Sequence, residues 1–198
     1  LAISKQAISF GADSITIHLR EDRRHINDND LKKIVITKIP LNLELACNYT
    51  MMKIALKSNP TFVCLVPEKR KELTTEGGLN LVKNFKKINF FVNKLNKKNI
   101  RTSLFINPTL KDVRYSKKIN TKCIEIHTGK ISDLVKNNKN YENELKRIKS
   151  CSKYASLLGI EVHAGHGMDY KTAKILSKIH EIKEFNIGHF IIGEAISI

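Results

Sequence analysis

The stretch IEVHAGHGMDYKTAKILSK, Ile160 to Lys178, holds the repeating unit from which the rest of the chain can be read. Ile160–Ala164 is a short aliphatic and β-branched run, the composition of a strand buried on both faces. A polar cluster, HAGHG (His163 to Gly167), sits at its trailing end, and a helical pattern follows from Asp169 to Lys178. Gly165 and Gly167 let the backbone approach a ligand, and His166 projects over the pocket so formed. Strand, polar cluster and helix in that order form the unit of a (β/α) barrel, whose chemistry gathers at the C-terminal ends of its strands.

The unit recurs on both sides. HLREDRRH (His18 to His25), NLELA (Asn42 to Ala46), LVPEKRKELTTEGG (Leu65 to Gly78), EIHTG (Glu125 to Gly129) and NIGHFIIG (Asn186 to Gly193) each begin in, or follow, a short apolar run. Strands are expected at Ser14–Leu19, Leu41–Leu45, Phe62–Val66, Thr102–Ile106, Cys123–His127, Ile160–Ala164 and Phe185–Ile187. Helices are expected at Asp28–Ile36 with Asp28 as its cap, at Tyr49–Lys57 before Asn59-Pro60, and at Leu79–Leu95. In the last of these Ile88, Phe91, Val92 and Leu95 recur at helical spacing. Another runs from Tyr141 to Leu158, stopped by Gly159, and the opening LAISKQAISFGAD reads as a helix entered partway. Strict alternation means parallel pairing with right-handed crossovers. The expected fold class is α/β, a TIM (β/α)8 barrel in a single domain over residues 1–198. Seven strands do not close an eight-stranded barrel, and 198 residues fall short of the roughly 250 that are typical.

Composition narrows the function classes. Hydrophobic residues make up 41% and charged residues 27%, the balance of a soluble globular chain. No apolar run reaches the roughly 18 to 20 residues of a membrane span, and the start lacks the pattern of a secretory signal; the expected location is cytoplasmic. Cys47, Cys64, Cys123 and Cys151 are scattered, without a C-x-x-C pair, and read as reduced, buried small hydrophobes. The net charge of +16 invites a nucleic-acid reading. Its excess is Lys, spread over outer helices at Lys32-Lys33, Lys86-Lys87, Lys97-Lys98 and Lys117-Lys118, with few aromatics interleaved. That is a solvated lysine surface, and no nucleic acid is expected as a partner.

Several side chains suit chemistry. His18 ends the run SITIHL; at a barrel mouth it is an acid or base near neutral pH, and in a polar loop it is merely solvated. Arg20 and His25 add donors suited to a phosphate. Glu44 lies between Leu43 and Leu45, so it is either a catalytic base or one half of a structural ion pair, because an unpaired buried charge is costly. The loop ending in Thr74, Thr75 and Gly77-Gly78 is a candidate lid with phosphate-binding groups. Glycine amides in NIGHFIIG, at the start of a short helix, suit a second phosphate. His127 reads as a satisfied pocket histidine. His163 and His166 form an H-x-x-H pair, but no third zinc ligand is evident and His163 points into packing, so no metal is expected.

Taken together and in this order, HLREDRRH, NLELA, VPEKR with TTEGG, EIHTG, AGHG and NIGH resemble the pyridoxine 5′-phosphate synthase family, over essentially the whole chain. The resemblance implies an eight-stranded barrel assembled as an octamer. It implies condensation of 3-amino-2-oxopropyl phosphate with 1-deoxy-D-xylulose 5-phosphate to pyridoxine 5′-phosphate, phosphate and water, with no cofactor or metal and with small phosphorylated substrates as the partners. By motif, His18 resembles the family's base, Glu44 its second acid/base group and His166 its acid. Arg20, His25 and Thr74 resemble ligands of the deoxyxylulose phosphate, and Gly167, Gly188 and His189 the pocket for the amino-ketone phosphate. The family begins with a first strand carrying an N-x-D-H-x-A-T-like stretch and continues past this chain's end into a final helix. The barrel is therefore expected to be incomplete at both ends. His163 stands where the family has Asn, and Glu194 where it has Arg. A degraded barrel, surviving as a binding or oligomer-forming subunit, is the alternative.

Overall fold

A computed structural model describes residues 1–68 and 77–197. The order is α1 (Ala2–Ser9), β1 (Ile15–His18), α2 (Asp28–Ile36), β2 (Leu41–Ala46), α3 (Tyr49–Ser58), β3 (Phe62–Val66), α4 (Phe85–Asn96), β4 (Arg101–Ile106), α5 (Leu110–Ile119), β5 (Cys123–His127), α6 (Gly129–Lys136), α7 (Glu142–Leu157), β6 (Glu161–Gly165), α8 (Tyr170–Leu176), β7 (Ile182–Asn186) and α9 (His189–Ser197). The seven strands form one parallel sheet in sequence order, β1 to β7. This is the expected barrel topology, curled but not closed.

The pleat sorts the side chains. One face of the strands carries Leu43, Leu45, Val63, Leu65, Leu104, Ile124, Ile126 and Val162, all buried in the main core with Ile88, Phe91, Leu95, Val113 and Ile148 of the helices. At about 25 cal/mol per Å² of apolar surface removed from water, this layer dominates the stability. The other face is the barrel interior, and it is polar. Cys64, Glu125 and Asn186, from β3, β5 and β7, bond to one another across it. β1 and β7 share no ladder among the described residues, yet their side chains meet: Thr16 donates to Asn186 Oδ1 at 3.0 Å and accepts from Asn42 Nδ2 at 3.3 Å.

Three boundaries differ from expectation. Asn27, not Asp28, caps α2: its side chain accepts from the amides of Asn29 and Asp30, while Asp30 accepts from the Asn27 amide in a capping box. Asp28 is instead the first helical residue, where its charge favours the helix N-terminus. α4 begins at Phe85, not Leu79. The Gly78 amide donates to Asn107 Oδ1 and the Leu79 amide to the Phe105 carbonyl, both at 2.9 Å, so the chain lies along the end of β4 before it can coil. A Cβ on Gly78 would come within 2.6 Å of the Asn107 nitrogen, so only glycine permits that approach. β7 runs over Ile182–Asn186, earlier than Phe185–Ile187, because Lys183 and Glu184 interrupt the apolar pattern; Ile182 and Glu184 pair with Val162 and His163 of β6, and Lys183 is the extra residue at a register shift between them.

Candidate active site

The chemistry gathers inside and above the sheet, at the C-terminal ends of the strands. His18 closes β1, and its register partner in β2 is Glu44, so the pleat turns both to the same face. Their groups face each other, His18 Nδ1 to Glu44 Oε2 at 3.7 Å. Burial pushes the Glu44 carboxyl above the usual carboxylate range, and the adjacent His18 pulls it partly back. On its other side, His18 Nε2 lies 3.1 Å from Oε1 of Glu68, just past β3.

Deeper in the barrel is Glu125, 3% exposed, between the outward-facing Ile124 and Ile126 of β5. Its Oε2 accepts from Asn186 Nδ2 at 3.0 Å and from the Cys64 thiol at 3.6 Å. Burial first, and then the charge of Glu44, raise its pKa to about 8. At neutral pH it therefore holds a proton that it can donate. Gly165 makes room for it, since a Cβ there would overlap Glu125 Oε1.

The facing wall is built from β5 and β6. His166 follows β6 at φ 84, a left-handed conformation that a side-chain-bearing residue rarely adopts. Two hydrogen bonds pin the turn: the Thr128 hydroxyl donates to the carbonyls of Gly165 (2.7 Å) and His166 (2.8 Å). The His166 ring stacks on His127, with centroids 4.8 Å apart and planes 25° from parallel, and Phe105 presents an edge to both. Desolvation, with a contribution from the charge of His189, lowers the His166 pKa. Its imidazole is thus neutral over more of the physiological range than a free histidine. Gly167, at φ 77, packs against Gly129 and Ser132 of α6. Gly188 and His189 stand exposed where α9 begins, a position whose free amides favour anions.

The remaining expectations fare unevenly. Arg20 is not waiting free for a phosphate: its Nε donates to Asp22 Oδ1 at 3.2 Å, and Arg24 shares the same carboxylate. Asp22, two residues along, is the neutralising acid for this end of the site. His25 lies exposed in the loop before α2, and Thr74 lies outside the described residues. Sequence reasoning passed over Glu125, Glu68 and Asn186. Glu125 carries the same signal as Glu44, a carboxylate inside an apolar strand; Glu68 and Asn186 lie within the VPEKR and NIGH motifs, but nothing in their spacing singles them out from the polar residues beside them.

At the opposite end of the barrel, Arg101 Nη1 binds Glu161 at 2.5 Å and Nη2 binds Glu184 at 3.3 Å, with the guanidinium 4.0 Å above the Phe62 ring. His163, 3% exposed, joins the same two acids at 2.7 and 3.4 Å. With Cys123, Glu161 and His163 form a set with metal-ligand chemistry. Arg101 already neutralises the acids, however, and burial pushes the Cys123 thiol far up, so the set works as a cross-barrel ion-pair floor. All four cysteines are buried, and none forms a disulfide among the described residues.

The family model for the pyridoxal phosphate biosynthesis protein PdxJ matches residues 1–198. A relative from Pelagibacter ubique (strain HTCC1062), named pyridoxine 5′-phosphate synthase, is 62% identical over 196 residues, covering 98% of this chain and 82% of its own. One of the same name from Zymomonas mobilis is 50% identical over 194 residues, covering 97% and 75%. Among solved structures, phosphoribosyl anthranilate isomerase from Thermus thermophilus superposes with a TM-score of 0.61 over 94% of this chain and 81% of that one, at 8% identity, a likeness of fold alone. With a family model matched over the whole chain and relatives 62% and 50% identical, the chain belongs to the PdxJ family of pyridoxal phosphate biosynthesis proteins.

Proposed function

We propose that this chain acts as a pyridoxine 5′-phosphate synthase, joining 3-amino-2-oxopropyl phosphate to 1-deoxy-D-xylulose 5-phosphate and releasing pyridoxine 5′-phosphate, phosphate and water. The observation that carries the reading is the convergence of one histidine–carboxylate pair, His18 and Glu44, with a partly desolvated His166 and the buried Glu125 in one barrel. Imine formation, loss of phosphate and successive dehydrations each need a proton removed at one atom and delivered at another. His18 and Glu44 take protons and Glu125 delivers one, while His166, neutral over more of the pH range, delivers a proton only after it has first taken one up. The condensation involves no net redox change, so acid–base groups suffice.

The two substrate phosphates are assigned to opposite sides. Arg20, His25 and Thr74 take the deoxyxylulose phosphate, which displaces Asp22 from Arg20 on arrival. Gly167, Gly188 and His189 take the amino-ketone phosphate at the start of α9. A homo-oligomer, an octamer by family likeness, and a cytoplasmic location complete the proposal; no helix among the described residues is long and apolar enough to cross a membrane.

The test is product formation from the two substrates, followed by chromatography and phosphate release, for the parent and for Glu44→Gln. The amide keeps the shape of Glu44 but cannot accept the proton, so turnover falls by about 10²- to 10⁴-fold with the fold intact. Near-normal turnover in a folded Glu44→Gln removes Glu44 from the mechanism. The meeting of β1 and β7 through side chains, with no ladder between them among the described residues, favours a second reading, an inactive barrel kept for binding or assembly. A parent that folds and binds phosphate but makes no product selects that reading.

A further inference from the structure

We propose that Glu68 is a positioning residue that fixes the tautomer and orientation of His18, so that Glu68, His18 and Glu44 form a relay across three neighbouring strand ends. The inference rests on the reading of His18 as the proton-transfer group.

The geometry is that of an orienting carboxylate. Glu68 has a side chain only 5% exposed although it follows Pro67 in a charged, loop-like sequence. Its two oxygens are committed to different donors: Oε2 accepts the Glu21 amide at 2.9 Å, and Oε1 faces His18 Nε2 at 3.1 Å. The Glu21 end is itself held, since Asn48, the cap of α3, donates to Glu21 Oε1 at 2.9 Å. The carboxylate therefore cannot swing away from His18 without losing the loop contact.

Chemistry then dictates the rest. An ionised carboxylate only accepts, and a neutral imidazole has one N–H and one lone pair. With Nε2–H given to Glu68, the lone pair sits on Nδ1, which faces Glu44 Oε2 at 3.7 Å. A base whose free nitrogen is fixed by a second carboxylate is the arrangement that makes histidine effective in proton transfer. Glu44 from β2 and Glu68 after β3 flank the ring, and from the loop after β1 the Glu21 amide binds Glu68 while Arg20 lies close enough to Glu68 for their charges to interact. A merely structural hydrogen bond would be served equally by glutamine, and the relay is not. In Glu68→Gln the amide oxygen is claimed by the Glu21 amide, and its NH₂ is left facing His18. Nε2 must then accept, and the N–H moves to Nδ1.

The experiment is nitrogen-15 NMR of the imidazoles in the full chain without substrates, at an alkaline pH of about 8.5 where free histidine is neutral. The His18 signals are identified by their loss in His18→Gln. The parent is expected to show the Nε2–H tautomer, and Glu68→Gln the Nδ1–H tautomer. Steady-state assays should show kcat down about 10²-fold in Glu68→Gln, the lower end for an acid–base group, with KM little changed, and partial recovery in Glu68→Asp, which keeps the carboxylate. A parent whose His18 carries Nδ1–H, or both protons, overturns the proposal whether or not the variants fold. So does a folded Glu68→Gln with unchanged tautomer and kcat. Because the NMR needs no substrate, a parent with Nε2–H that forms no product refutes the synthase reading and leaves the Glu68–His18 arrangement standing.

Discussion

Glu125 shows what a single residue's surroundings do to its chemistry. In the unfolded chain its carboxyl titrates near 4.5, and in the barrel near 8. A raised acid is neutral in both states below the lower value, so folding then carries no penalty. Between about 4.5 and 8 the unfolded chain ionises and the folded one does not, so this residue's contribution is lost as pH rises. Glu125→Gln removes the titration, so the Tm of the variant minus that of the parent should grow steadily from pH 5 to pH 8. A difference constant over that range would mean that Glu125 is ionised inside the barrel. Its presence was legible: the rule that singles out Glu44 between leucines applies equally to Glu125 between isoleucines. Its depth was not, because burial depends on Gly165 and Asn186, contributed by strands far along the chain. Arg20 was legible as a cation, but its capture by Asp22 depends on loop geometry that no periodicity encodes.

At the scale of elements, the strands were the most legible part, because each buries an unbroken apolar face on the helices. The start of α4 was not, since an apolar run with helical spacing does not reveal that the amides before it are claimed by β4. Helix ends follow a different economy. Asn59, Asn99, Asn120 and Asn138 all take the left-handed conformation that usually selects glycine, and Lys38 takes it just after α2 at φ 58. Asparagine tolerates that region; lysine has no such compensation. An ordinary residue held there costs roughly 1–2 kcal/mol, while glycine's looser unfolded chain costs about 0.4–1 kcal/mol. Lys38→Gly should therefore stabilise the protein by up to about 1.6 kcal/mol in urea unfolding, the largest difference between those two terms. Destabilisation would show that the Lys38 side chain contributes contacts worth more than the strain it imposes.

For the molecule as a whole, the seven-stranded sheet was legible from the alternation of strands and helices, and the lack of a β1–β7 ladder among the described residues from the strand count. The side-chain bridge between those two strands was not. Thr16 sits at its centre, donating to Asn186 and accepting from the buried Asn42. Thr16→Val keeps the shape and leaves both partners short of a hydrogen bond, at a cost of about 1–3 kcal/mol, or roughly 2–12 °C in Tm for a chain of this size. Thr16→Ser should recover most of it. Identical melting of the Val variant and the parent in circular dichroism would mean that the edge strands are held by the helices alone.

The ion-pair floor made by Arg101, Glu161, Glu184 and His163 ties β4, β6 and β7 together beneath the site. Three strands drawn to one cluster of charges share its fate. Removing Arg101 would leave Glu161 and Glu184 without their guanidinium and loosen β4, β6 and β7 together, so damage at the base of the sheet would reach the strand ends that carry His166 and Asn186.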